Sequence, residues 1–176
     1  MKTIVAALFL MISLPALAQR AYIVTKDSVD GGKIFKGKVT FENLEKEPSF
    51  TWFTKGKEEY TPADKSISLL KFYLRQYSII VFMGTWCDDS HNILPKLAKV
   101  LDYAGYPIAQ VTMYGVDRAK TTTGNEQRNY QITNVPTIIL FKDNQESGRI
   151  TETVKTSVEA DLAAIIEQEM ASQQPH

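Results

Sequence analysis

The stretch that most constrains this chain runs from Tyr77 to about Tyr103. Ser78-Ile79-Ile80-Val81-Phe82-Met83 is an apolar run of strand length, the pattern of a strand buried on both faces of an α/β sheet. Gly84-Thr85 ends it, Trp86-Cys87-Asp88-Asp89-Ser90 follows, and a helix-like segment begins near Ser90. Within that segment Ile93, Leu94, Leu97, Val100 and Leu101 recur at helical spacing. Pro95 lies inside it, where it removes a backbone donor and is expected to kink the helix. A strand, a tight turn and a thiol at a helix start form an arrangement that activates sulfur, because the first amides of a helix favour the thiolate.

The flanking sequence extends this unit in both directions. Upstream, Thr61-Pro62-Ala63-Asp64 reads as a helix start with Asp64 as cap, and Ile67, Leu70, Lys71 and Leu74 follow at helical spacing. Downstream, Gly105-Tyr106-Pro107 closes the central helix and Ile108 to Val116 reads as a second buried strand. Thr121 to Gly124 is loop-like, and Asn125 to Tyr130 fits a short helix. Val135 to Phe141 reads as a third strand, and Asp143-Asn144 turns the chain into a fourth around Gly148 to Thr153. Thr156 or Ser157 caps a last helix through Met170, with Val158, Leu162, Ile165 and Ile166 inward. A parallel βαβ unit followed by a hairpin and a covering helix makes one α/β domain, a central mixed sheet flanked by helices.

The N-terminal part is less legible. Residues 1–18 carry Lys2, an apolar run from Ile4 to Leu14, Pro15 and then Ala16-Leu17-Ala18, the charged, apolar and small-residue regions of a secretory signal peptide. Cleavage after Ala18 is expected, with no stable membrane insertion afterwards, because the apolar run is well short of the roughly 20 residues that span a bilayer. Export to the periplasm, or secretion, follows from this reading. Residues 19–69 form an accessory segment: Arg20 to about Leu44 has short apolar stretches broken by Gly31-Gly32 and Gly37 and takes no firm assignment. Pro48 is read as opening a short helix whose Phe50, Trp52 and Phe53 pack on the domain. The domain proper spans 70–170, and 171–176 is a fraying tail.

Without its leader the chain has 19 basic and 20 acidic residues and no basic cluster, so nothing in it points to nucleic acid. Cys87 is the only cysteine, so no internal disulfide can form. In an exported chain an odd cysteine implies intermolecular pairing or a free reactive thiol. Asp88 and Asp89 oppose a second negative charge beside them, while the helix terminus favours it; the two aspartates also suit a first helical turn in their own right. His91, four positions on, would favour the thiolate as a cation; its position also fits an exposed polar residue, the expectation for it here.

Trp86-Cys87 after a buried strand, Pro95 eight positions past the cysteine, and Val135-Pro136-Thr137 before another strand together resemble the thioredoxin-like superfamily. The wider pattern, with Gly84-Thr85-Trp86-Cys87-Asp88-Asp89-Ser90 and Gly148-Arg149-Ile150, is similar to a group of exported bacterial thioredoxin-like proteins. The resemblance implies a thioredoxin-like fold over about Leu70 to Met170. It also implies a cis bond before Pro136, against the reactive sulfur, with the main chain around Val135, Pro136 and Thr137 pairing to an extended substrate. Cys87, Ser90 and Trp86 fall at the catalytic positions. Ser90 replaces the usual second cysteine and would donate a hydrogen bond to the thiolate. The family's buried acid falls at Val81 and its lysine partner near Met113, so the supports of a second thiol are missing with it.

The function expected is that of a cell-envelope monothiol protein. The Cys87 thiolate attacks a client disulfide, or a sulfenic acid on an oxidised client, and forms a mixed disulfide. A second client thiol or an external thiol reductant releases it. The partners are therefore client proteins with cysteines or disulfides, and no cofactor is called for. The alternative is a redox-inactive peptide-binding module on the same fold. Metal handling through Cys87, His91 and Asp88 or Asp89 is the least supported, because two strong ligands are too few.

Overall fold

Alternation across the strand Ser78–Met83, β3 of the sheet, decides where the core sits. Ile79, Val81 and Met83 enter one large apolar cluster, whereas Phe82 joins Val116, Ile132, Val135 and Ile139 in a smaller one. Burial of both faces is the reason the run shows no polar alternation. The computed structural model describes residues 21–172, so the leader expected over 1–18 and the chain from Gln173 lie outside the described residues.

In chain order the elements are β1 (Tyr22–Lys26), β2 (Lys33–Val39), α1 (Phe41–Glu45), α2 (Thr51–Glu59), α3 (Asp64–Tyr73) and β3. They continue with α4 (Asp88–Ala104), β4 (Thr112–Gly115), α5 (Glu126–Asn129), β5 (Thr137–Lys142), β6 (Gln145–Thr151) and α6 (Val158–Ser172). The sheet order is β1-β2-β4-β3-β5-β6. β3 and β4 run parallel across α4, and the other neighbouring pairs are antiparallel. The α/β architecture expected from the pattern is the one observed. Val81 stands beside Met113 in the β3–β4 register, and both are fully buried, an apolar pair at the centre of the sheet.

Several boundaries differ from those the sequence implies. α4 starts at Asp88, two residues before Ser90, because Asp88 and Asp89 suit the first turn, where negative charge meets the exposed amides. The helix continues through Pro95 and ends at Gly105, whose left-handed φ of 67° lets Tyr106 N donate to Leu101 O at 2.9 Å. Ile108–Gln110 is a 3-10 turn and not the start of a strand; Pro107 leads into it, so β4 is confined to four residues. The helix cap assigned to Asp64 falls instead on Ala63, whose amide donates to Oε1 of the buried Glu159 on α6 at 3.0 Å. Pro48 precedes α2, which is capped by Phe50.

The unassigned region from Arg20 to Leu44 supplies two strands of the sheet. β2 lies against β4 with Gly37 opposite Gly115 and Val39 opposite Met113. The approach is so close at Gly115 that a Cβ there would collide with Phe35 O. On the helical side, α2 rests directly on α4: a Cβ on Gly56 would come within 2.9 Å of Pro95 Cβ. Phe50 and Phe53 are buried in the large cluster, and Trp52 packs against it. The accessory segment is thus built into the same sheet and the same core as the domain it precedes.

Candidate functional site

β3 delivers the chain to a turn in which Cys87 N donates to Gly84 O at 3.0 Å, and Cys87 becomes the N-cap of the 17-residue α4. Its thiol is partly exposed on the side of the smaller cluster, with Sγ donating to Val135 O at 3.2 Å. The Val135–Pro136 peptide is cis. Val135, Pro136 and Thr137 have buried side chains, and the Thr137 hydroxyl donates inward to Asn134 O at 2.7 Å. What Val135 turns toward the sulfur is its carbonyl oxygen.

Trp86 is held from two sides. Its Nε1 donates to Val116 O at 2.9 Å, and the Arg118 guanidinium lies over its ring at 5.0 Å from the centroid. Arg118 in turn forms a paired contact with Asp27 in the β1–β2 loop, Nε to Oδ1 at 2.8 Å and a terminal nitrogen to Oδ2 at 2.7 Å. Asp27 is 2% exposed. The Arg118 guanidinium beside it outweighs burial and holds its carboxyl down at about 2.

Ser90 is placed differently from the expectation. It is fully buried, and its Oγ accepts from Gly84 N at 3.2 Å; among the described residues no hydrogen bond joins it to Cys87. A short hydroxyl at the first helical turn finds the nearest unpaired amide of the preceding turn, so Ser90 fixes that turn and does not solvate the sulfur. Asp88 and Asp89 are exposed to solvent on the first turn of α4.

His91 also departs from its sequence reading. It is half-buried, stacked on Trp52 with centroids 4.2 Å apart and planes 19° apart. Its Nε2 meets Thr85 O at 2.8 Å, and Nδ1 lies 3.9 Å from Asp88 Oδ1. Thr85, legible in the sequence only as part of the strand-ending Gly84-Thr85, is 5% exposed. Its hydroxyl accepts from Phe35 N at 3.1 Å and donates to Lys33 O at 2.7 Å. No local signal marks such a residue, since its partners lie on another strand. Among the described residues no group of three or more His, Cys, Asp or Glu side chains is arranged to hold a metal ion.

A thiol capping a long helix after a buried parallel strand, faced by the loop ahead of an antiparallel one, defines a thiol-presenting α/β domain. The family model for thioredoxin matches residues 73–168, more than half of the chain, and the chain belongs to the thioredoxin family. Over 72 residues it is 32% identical to a thioredoxin of Mycobacterium bovis, covering 41% of this chain and 58% of that protein. It is 29% identical over 72 residues to a thioredoxin of Mycolicibacterium smegmatis, covering 41% of this chain and 62% of the relative. The chain therefore spans less than two thirds of the length of these relatives. Among solved structures an HIV epitope scaffold is similar in fold, with a TM-score of 0.52 at 14% identity over 73% of this chain and 90% of the scaffold.

Proposed function

We propose that Cys87 acts as a single attacking thiol in thiol–disulfide exchange with client proteins. The observation that carries this reading is the placement of a partly exposed sulfur on the N-cap of the 17-residue α4, at the first amides of the helix. The thiolate attacks one sulfur of a client disulfide; a Cys87–client disulfide forms, and the other client sulfur leaves as a thiolate. With a sulfenic acid on an oxidised client the same attack expels hydroxide, which takes up a proton as water. Cys87 is the only cysteine, so a second client thiol or an external thiol must attack the mixed disulfide and regenerate Cys87. Pro136 has no amide proton and its carbonyl accepts from Glu152 N at 2.8 Å, while Thr137 is paired to β3 and β6, so main-chain pairing with a client falls to Val135 and demands little of client sequence.

The leader over 1–18 supports a site of action in the cell envelope. No helix among the described residues is long and apolar enough to cross a membrane. Wild type and Cys87→Ser are compared on non-reducing gels after exposure to disulfide-bonded envelope proteins. Adducts confined to wild type and removed by dithiothreitol are expected, and equal patterns in the two would overturn the proposal. Fractionation of the tagged chain tests export, with recovery of the uncut form in the cytoplasm as the contrary result.

The bond from Sγ to Val135 O favours a second reading, a peptide-binding module whose sulfur stays engaged with the protein's own main chain. It predicts slow, unselective alkylation of Cys87 and peptide binding that survives Cys87→Ser.

A further inference from the structure

We infer that His91 is a positioning residue for Cys87, held in place by Trp52 of the N-terminal segment. The inference rests on the reading of Cys87 as the attacking thiol, and it concerns what keeps that thiol on the helix terminus. A carbonyl oxygen only accepts, so the 2.8 Å contact with Thr85 O means that His91 Nε2 carries the proton and donates. The imidazole cannot swing away from that carbonyl because Trp52 lies flat against it, 4.2 Å between centroids. Trp52 is fixed in its turn, its ring edge-on to that of the buried Phe53, on a helix set directly against Pro95.

The turn is therefore clamped at one residue from two directions. The Thr85 carbonyl is bound by His91, and the Thr85 hydroxyl is bound to Phe35 N and Lys33 O of β2. Cys87 follows two residues later and donates its own amide back to Gly84. A peptide plane fixed at Thr85 leaves little freedom for the sulfur to leave the α4 amides, and the groups that fix it come from β2 and, through His91, from α2. Residues well outside the matched thioredoxin region, which begins at 73, thereby set the geometry of the thiol.

The test measures alkylation of Cys87 in the full chain by iodoacetamide across pH, which needs no client, so a failure of client capture and a failure of this clamp are read separately. His91→Leu is expected to slow alkylation at pH 7 about fivefold, the scale of one hydrogen bond, and to move the midpoint of the pH profile upward. His91→Gln, whose amide nitrogen can reach Thr85 O, is expected to keep the wild-type midpoint. Trp52→Leu is expected to follow His91→Leu, and Trp52→Phe to follow wild type. A wild-type rate and midpoint in folded His91→Leu overturns the inference. Should that variant fail to fold, the two amides decide: His91→Asn is one bond too short, and the same profile in Asn and Gln variants overturns it.

Discussion

The hydroxyl of Ser90 accepts from the Gly84 amide inside the protein, and its removal leaves that amide without a partner. Ser90→Ala should lower the unfolding free energy by about 1–3 kcal/mol, the cost of a buried donor left unpaired. The measurement is a urea titration in which the midpoint falls while the slope is unchanged. Formation of an adduct between Cys87 and oxidised glutathione should persist in that variant, since Ser90 makes no bond to the sulfur. The residue types at this site were legible from the sequence, but their directions were not. Spacing along α4 placed Cys87, Ser90 and His91 on neighbouring turns; it did not disclose that Ser90 would look inward or that His91 would find Trp52. Phe35 and Thr85 are 50 positions apart, and no periodicity reports a bond of that range.

Helix α2 can lie on α4 only because Gly56 has no side chain to meet Pro95. Gly56→Leu should therefore push the two helices apart and destabilise the fold by roughly 1–3 kcal/mol, the usual cost of overpacking. Its signature in thermal unfolding is a lower midpoint, and because Trp52 sits on α2, its fluorescence should shift in the folded state. The elements best read from sequence were α4 and α6, whose apolar residues recur at helical spacing, and β3 and β5, continuous apolar runs of strand length rich in β-branched and aromatic residues. β1 and β2 escaped because Gly37 interrupts the apolar run and because β1 is an edge strand with Ile23 and Val24 exposed. Such a strand owes its existence to its partner and not to its own pattern.

At the scale of the molecule, the N-terminal hairpin is joined to the rest by charge as well as by the sheet. Lys36 Nζ meets Asp117 Oδ2 at 2.6 Å, and Asp27 pairs with Arg118. The Asp27 carboxyl is held at about 2 against an ordinary value of 3.8, so its ionised form belongs to the folded state. Stability from this pair is present in full above about pH 4 and is lost as pH falls toward 2. Urea midpoints measured between pH 5 and 2.5 should drop less in Asp27→Asn than in wild type; parallel curves would remove the pair from the acid response.

Beyond its hairpin partner β1, β2 is paired with β4, and the salt links that secure the hairpin join residues 81 and 91 positions apart. Pairing at this separation carries a larger loop-closure cost, so it is expected to close after the nearer contacts of β3, α4 and β4. Ile34→Val on β2 should accordingly quicken unfolding in stopped-flow measurements and leave the refolding rate close to wild type. For a chain made from its N-terminus, the consequence is one of order in time: β2 is made well before the strand that receives it. Until residues 112–115 exist to receive β2, the turn that carries Cys87 lacks the strand that steadies it.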